Sequence, residues 1–205
     1  MLCLAVGYWI NGGCNRLPLI AVRNSMGILA NTGYEAMGFL AIENGIGFAA
    51  QNGIPTADWD QFARDWRNRY QPSMERVRSG ELPFTKLDTL HRMNLDEIAA
   101  QYGFDCLSAD KLDQLNLAWH KLSPWPDSVE GLTLLKSKYI IGTHSNGNIA
   151  LMVNMAKNGG LPWDVILGAE VVRQYKPMPE TYDRCCDALG LAPAEVMMTA
   201  AHNDE

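Results

Sequence analysis

Three short polar runs hold the residues whose types and spacing are best suited to chemistry. The first is His144-Ser145-Asn146-Gly147-Asn148, a set of small polar groups directly before an apolar-periodic segment. At a helix start, backbone N–H groups and the helix dipole favour an anion. The same residue types also serve as ordinary N-caps and turns, and taken alone the two accounts balance. The second run is Tyr175-Lys176-Pro177-Met178-Pro179, with Tyr182 six residues after the lysine. A lysine held in a proline-bounded turn can neutralise a carboxylate or stabilise a developing anion; the plainer account is a solvated surface lysine. The third is Ala200-Ala201-His202-Asn203-Asp204-Glu205, groups able to orient a water or bind a cation, or simply to fray as a polar end.

What joins the runs is the pattern of elements in front of them. A helix over 127–137 leads to a buried-type strand at Tyr139 to Thr143, and a helix from Ile149 to Lys157 ends at Gly159 and Gly160. Next come a strand at Val165 to Leu167, a helix from Pro179 to Leu189 closed by Gly190, and a strand at Val196 to Thr199. Strands alternating with helices mean a parallel sheet covered on both faces, where ligands sit at the C-terminal ends of the strands. Each polar run follows one of these strands, and such a coincidence is much less expected by chance than any single run.

Between residues 59 and 121 there is no strand signal. Trp59, Phe62, Ala63, Trp66 and Tyr70 recur at helical spacing after Thr56 and Asp58 as candidate caps, with Gly80 beyond the end. A second helix begins near Thr85 and Asp88, spaced like a capping box with Asp for Glu. It carries Leu87, Leu90, Met93 and Ile98 and stops by Gly103. A third carries Leu112, Leu115 and Trp119, and the stretch closes at Ser123-Pro124-Trp125-Pro126-Asp127, whose prolines cannot continue a helix. This is a helical insert. The fold class is α/β, a Rossmann-like parallel sheet formed by residues 1–55 and 123–205 with a helical cap at 56–122.

Composition narrows the function classes. The chain of 205 residues carries a net charge of −6 with no sustained basic run, which argues against nucleic acid as a partner. Met1 to Trp9 is apolar but lacks a basic flank and is far shorter than the roughly 20 residues of a membrane span. The expectation is a cytoplasmic protein without a membrane anchor. Five cysteines, Cys3, Cys14, Cys106, Cys185 and Cys186, show no metal-ligand spacing, so thiols in a reducing compartment are expected rather than a zinc site or disulfides. Residues 1–50 stand apart: their charged side chains are Arg16, Arg23, Glu35 and Glu43, and they hold eight of the 18 glycines. A strand at Leu17 to Val22 is the one element assigned there.

Thr143-His144-Ser145-Asn146-Gly147, then Tyr175-Lys176-Pro177 with Pro179 and Tyr182, then Ala201-His202-Asn203-Asp204, resembles the haloacid dehalogenase superfamily, and within it the type II 2-haloacid dehalogenases. The resemblance covers residues 55–205 and includes the cap, where Trp66-Arg67 is similar to the family's site-facing arginine. It implies a hydrolase that converts a short 2-haloalkanoic acid and water to a 2-hydroxyacid and halide without a cofactor. An aspartate after the first strand would attack the halogen-bearing carbon, and water would hydrolyse the resulting ester. Ser145 and Asn146 would hold the substrate carboxylate and the nucleophile, and Lys176 would neutralise the crowded carboxylates. Tyr182 would position Lys176 or the substrate, Arg67 would contact halide or carboxylate, and His202 and Asn203 would orient the water. The family's last acidic residue falls at Asp204 or Glu205. The implied partners are a small anionic substrate and halide, and a homodimer is left open.

One departure is serious. No aspartate precedes Asp58, and the spacing match to the family's Asp-x-x-Gly-Thr is Asn24-Ser25-Met26-Gly27, which puts a neutral, poorly nucleophilic amide at the acid's place. Two accounts remain: the first fifty residues are translated in the wrong frame or from a wrong start, or the chain is a paralogue that has lost catalysis. The end at Glu205, where the family continues with more sheet and helix, gives the further expectation of a truncated core. The rivals are a phosphatase of the same superfamily, which would need Mg²⁺, and a catalytically inactive binding protein.

Overall fold

A computed structural model describes residues 19–23, 48, 52 and 58–199. Its sheet is parallel throughout, in the order β3-β2-β1-β4, with β1 Leu19–Arg23, β2 Ile140–Ser145, β3 Val165–Gly168 and β4 Val196–Thr199. β1 is therefore interior, with Arg23 opposite His144 of β2 and Val22 opposite Thr199 of β4. The expected alternation is borne out, and the mouth of the sheet is formed by the C-terminal ends of β1, β2 and β4 side by side.

The helical stretch begins with α1 Trp59–Asn68, α2 Tyr70–Arg78 and α3 Leu87–Ile98, and continues through two single 3₁₀ turns to α4 Ala109–Asn116 and a 3₁₀ turn at Leu117–Lys121. The sheet is then flanked by α5 Ser128–Lys136, α6 Ile149–Gly159, the short α7 Ala169–Val172 and α8 Pro179–Leu189. No helix among the described residues is long and apolar enough to cross a membrane.

Two details of the helical stretch depart from the sequence-based expectation. The single helix carrying Trp59 to Tyr70 is two, parted at Arg69. Pro72 is the cause: its ring would strike the carbonyl of Asn68 and it has no N–H to donate, so it is tolerated only in the first turn of a new helix. The capping box at Thr85 and Asp88 does not form either. Lys86 occupies the N-cap position, Thr85 Oγ1 donates instead to Pro83 O (2.9 Å), and the Asp88 carboxylate turns to donors outside its own helix. Asp58 does cap α1, accepting from Gln61 N at 3.0 Å.

The main apolar cluster does not stop at the edge of the cap. Trp59, Phe62, Trp66, Phe104 and Trp119 pack in one continuous body with Leu151, Met152 and Met155 of α6 and with Tyr175. Trp66 and Trp119 are each 1% exposed and meet edge to face at 5.3 Å between ring centroids. Burying a ring of this size removes on the order of 200 Å² from water, ~5 kcal/mol at about 25 cal/mol per Å². The helical stretch is thus joined by apolar packing to α6 and to Tyr175.

Candidate active site at the sheet mouth

Strand β2 runs two residues further than expected, so His144 and Ser145 are strand residues facing opposite ways. The reason lies in β3: Ser145 pairs with Gly168, which has φ 150° and ψ −157°. A Cβ at Gly168 would lie 2.0 Å from the Ser145 carbonyl oxygen, so the close approach of the strands at this point requires glycine. Two residues earlier, Thr143 Oγ1 donates to Leu167 O (2.9 Å) and accepts from Leu167 N (3.1 Å), clamping the same pair of strands.

From this rigid end the first polar run turns into α6. Ser145 Oγ accepts from Gly147 N at 3.0 Å, and Asn146 Oδ1 accepts from Lys176 N at 2.9 Å. The second run is thereby tied directly to the first. Lys176 is 6% exposed, which rules out the solvated surface lysine; a lysine so buried is stable as a cation only with compensating charge or dipoles nearby. Asn146 and Lys176 are thus brought together, with Ser145 next to Asn146 at the end of β2.

Other expectations are modified. The start of α6 is not an open anion site, because Glu170 Oε2 already accepts from Ile149 N at 2.7 Å. A carboxylate of the chain itself occupies the place where the dipole favours an anion. Tyr182 packs its ring on His144, 5.1 Å between centroids, on the face of β2 opposite Ser145. In the same place His144 Nδ1 lies 3.1 Å from Cys185 Sγ. The Cys185 thiol is pushed up to about 11 by burial and by Cys186, against the lowering effect of the Gly168 N–H and of Lys176. Cys185 and Cys186 are the buried thiols expected of α8. Asn24, His202, Asn203, Asp204 and Glu205 lie outside the described residues.

Arg67 is half-buried and stacks its guanidinium over Tyr70, 4.4 Å from the ring centroid. Tyr70 in turn packs against His91 (5.9 Å) and is close enough to Tyr175 to act on its hydroxyl electrostatically. That chain of rings connects Arg67 to the loop carrying Lys176. Burial of Tyr175, with Tyr70, Asp88 and Glu170 nearby, raises its pKa, so its hydroxyl stays protonated and donates to Thr85 O at 2.6 Å. Arg78 Nη1 donates to Lys176 O at 3.0 Å.

The sequence-based reading marked Thr85 and Asp88 only as a capping box, and did not single out Arg78, Lys86 and His120, which also hold these loops from the helical stretch. Their signals in the sequence are those of any solvated helix face. Asp88 lies one position away from the buried stripe of Leu87, Leu90, His91 and Asn94. Among the described residues no group of three or more His, Cys, Asp or Glu side chains is gathered as a metal site.

Comparison with known proteins agrees with this architecture. A family model for haloacid dehalogenase-like hydrolases matches residues 29–199. The (S)-2-haloacid dehalogenase 4A of Burkholderia cepacia is 38% identical over 93 residues, 44% of this chain and 40% of that protein, so the match spans well under half of the curated relative's length. The crystal structure of a defluorinating L-2-haloacid dehalogenase superposes with a TM-score of 0.82 at 43% identity, covering 92% of this chain and 75% of the other. That of another L-2-haloacid dehalogenase gives 0.77 at 36% identity, covering 91% and 77%. With the family model spanning most of the chain and two solved enzymes matched along most of their length, the chain belongs to the haloacid dehalogenase-like hydrolases, in their L-2-haloacid dehalogenase branch.

Proposed function

We propose that the sheet mouth is the pocket of a hydrolase acting on short 2-haloalkanoic acids. The observation that carries this is the buried Lys176, whose backbone N–H donates to Asn146 Oδ1 at 2.9 Å just past the end of β2, the neighbour of the interior strand β1. A cation and an amide at that point suit a substrate carboxylate next to a carboxylate nucleophile. The names of the matched relatives supply the halogen. In the reaction, an aspartate oxygen forms a bond to C2 as the carbon–halogen bond breaks and halide departs with the electron pair. Water then attacks the ester carbonyl, releasing the 2-hydroxyacid and restoring the carboxylate. Arg67 takes the halide or substrate carboxylate, Ser145 and Asn146 hold the reacting carboxylates, and Tyr182 steadies the β2 end through His144. His202 and Asn203 orient the water, with the acidic residue at Asp204 or Glu205.

Asn24 stands at the place of the nucleophile in this sequence. The chain as it stands therefore binds the acid without forming the ester, a second reading favoured by the lack of any aspartate before Asp58. The test is chloride release from chloroacetate and 2-chloropropionate by this chain and by Asn24→Asp, with calorimetric binding of 2-chloropropionate to both. Binding by both and turnover by Asn24→Asp alone is the expected result. Absence of binding in a folded protein overturns the proposal, and phosphate release from an aryl phosphate that depends on Mg²⁺ would replace it with the phosphatase.

A further inference from the structure

Several polar contacts between cap and core reach the two loops of the pocket, and among them is a side chain with no assigned role. Asp88, in the first turn of α3, donates its backbone N–H to Asn148 Oδ1 (3.1 Å), and Asn148 Nδ2 donates back to Asp88 Oδ2 (2.8 Å). The other carboxylate oxygen accepts from His120 Nε2 at 3.1 Å. His120 Nδ1 accepts from Asn154 Nδ2 of α6 at 2.9 Å, so the ring carries its proton on Nε2 and is held between cap and core. The Asp88 carbonyl accepts from Asn116 Nδ2 at 3.0 Å. Every polar atom of Asp88 is thus engaged, and Asn148 and His120 are 3% and 6% exposed.

A two-point pairing of backbone and side chain fixes orientation as well as distance, and a carboxylate acceptor makes it stronger than a neutral pair. Asn148 ends the Ser145–Asn148 loop, which also accepts the bond from Lys176 N at Asn146 Oδ1. The grip on Asn148 from the cap is therefore transmitted to the loop and, through Asn146, to the lysine turn. A neighbouring grip has the same sense: Lys86 pairs with Glu170 at 2.5 Å, and Glu170 holds Ile149 N.

We propose that Asp88 is a positioning residue of the pocket: from the cap it holds the Ser145–Asn148 loop, and with it the Lys176 turn, in the geometry that takes a small carboxylate. The anion site is complete only while the cap is seated. The ligand's chemistry rests on the haloacid reading; the role of Asp88 is read without it.

Amide hydrogen exchange of the unliganded chain tests this. Asp88→Asn and Asn148→Ala approach the same pairing from its two sides. Each should speed exchange at Gly147 and Lys176 by about tenfold or more, while Ile141 to Thr143 in β2 and the cap amides keep the rates of the unaltered chain. The exchanged pair Asp88→Asn with Asn148→Asp restores an amide facing a carboxylate, and should bring Gly147 and Lys176 back to within about threefold. Unchanged rates at those two amides in both single variants, acceleration shared equally by the whole protein, or failure of the exchanged pair to restore protection each overturns the proposal. In parallel, Asp88→Asn should weaken 2-chloropropionate by about tenfold, ~1.4 kcal/mol. Should the unaltered chain bind no haloacid, the haloacid reading falls and the exchange rates still decide the role of Asp88.

Discussion

Replacing Gly168 by alanine should damage both the fold and the pocket, by an amount the geometry allows to be worked out. Two terms add. The backbone at φ 150° and ψ −157° is a conformation that only glycine adopts freely, and side chains there cost ~1–3 kcal/mol. The new Cβ would lie 2.0 Å from Ser145 O and 2.9 Å from Ser145 N and C, against a floor of 3.0 Å for real Cβ contacts, so the strands must part by about 1 Å. The obstructing atoms are backbone, which no rotamer change can move, and overpacking of this kind costs ~1–3 kcal/mol. The sum, ~2–6 kcal/mol, is a large share of the ~5–15 kcal/mol stability of a typical domain. At a urea slope of ~2 kcal/mol per molar the midpoint should fall by about 2 M. Gly80→Ala is the control: its φ is 81° with nothing within 4 Å of the new Cβ, leaving only conformational strain of ~1–2 kcal/mol. Because Ser145 must shift by about 1 Å, the same variant should also bind 2-chloropropionate more weakly, in line with the sensitivity of positioned groups to such displacements. A Gly168→Ala protein no less stable than Gly80→Ala, or one that binds the acid unchanged, would refute the reasoning.

Further outcomes follow from the cap and the thiols. Burial holds the His91 imidazole down to about 3, despite Asp88 and in concert with Arg67 and His120, so the folded protein keeps it neutral where the unfolded chain protonates it. The sign follows: its contribution is complete above about pH 6.5 and is lost on acidification toward pH 3, at up to ~1.4 kcal/mol per pH unit. His91→Phe should flatten that slope in urea midpoints measured between pH 7 and 4, and an equal slope would disprove it. Trp66→Phe removes the Nε1 bond to His91 O (2.8 Å) and leaves a buried carbonyl unsatisfied, a loss of ~1–3 kcal/mol readable by thermal unfolding. Iodoacetamide at neutral pH should label the exposed Cys106 in the native state while Cys185, buried and with its thiol pushed up to about 11, reacts only after unfolding; peptide mass spectrometry reads both.

What the linear sequence determined is the part governed by local rules. Pro179 at the start of α8 and Gly190 after it, Gly159 and Gly160 at the end of α6, and the short apolar runs at Val165 and Val196 announce their elements through backbone preference and period. Their alternation then leaves few topologies, since parallel connections are short and right-handed. The same order puts Ser145 and Asn146 at a strand end, and Lys176 in the segment that follows the next strand, without any knowledge of contacts. Tertiary structure decided the rest. Whether Lys176 is a surface ammonium or a buried one depends on what packs around it, and the fold buries it. Pro72 divides a helix whose apolar spacing runs on without interruption, a steric effect that periodicity does not register. Asp88 has the spacing of a capping residue, yet its carboxylate goes to Asn148, 60 positions away, and to His120, because two donors outside its own helix outweigh one backbone N–H within it. Burial and long-range donors are set by packing, and no window of neighbouring residues contains them.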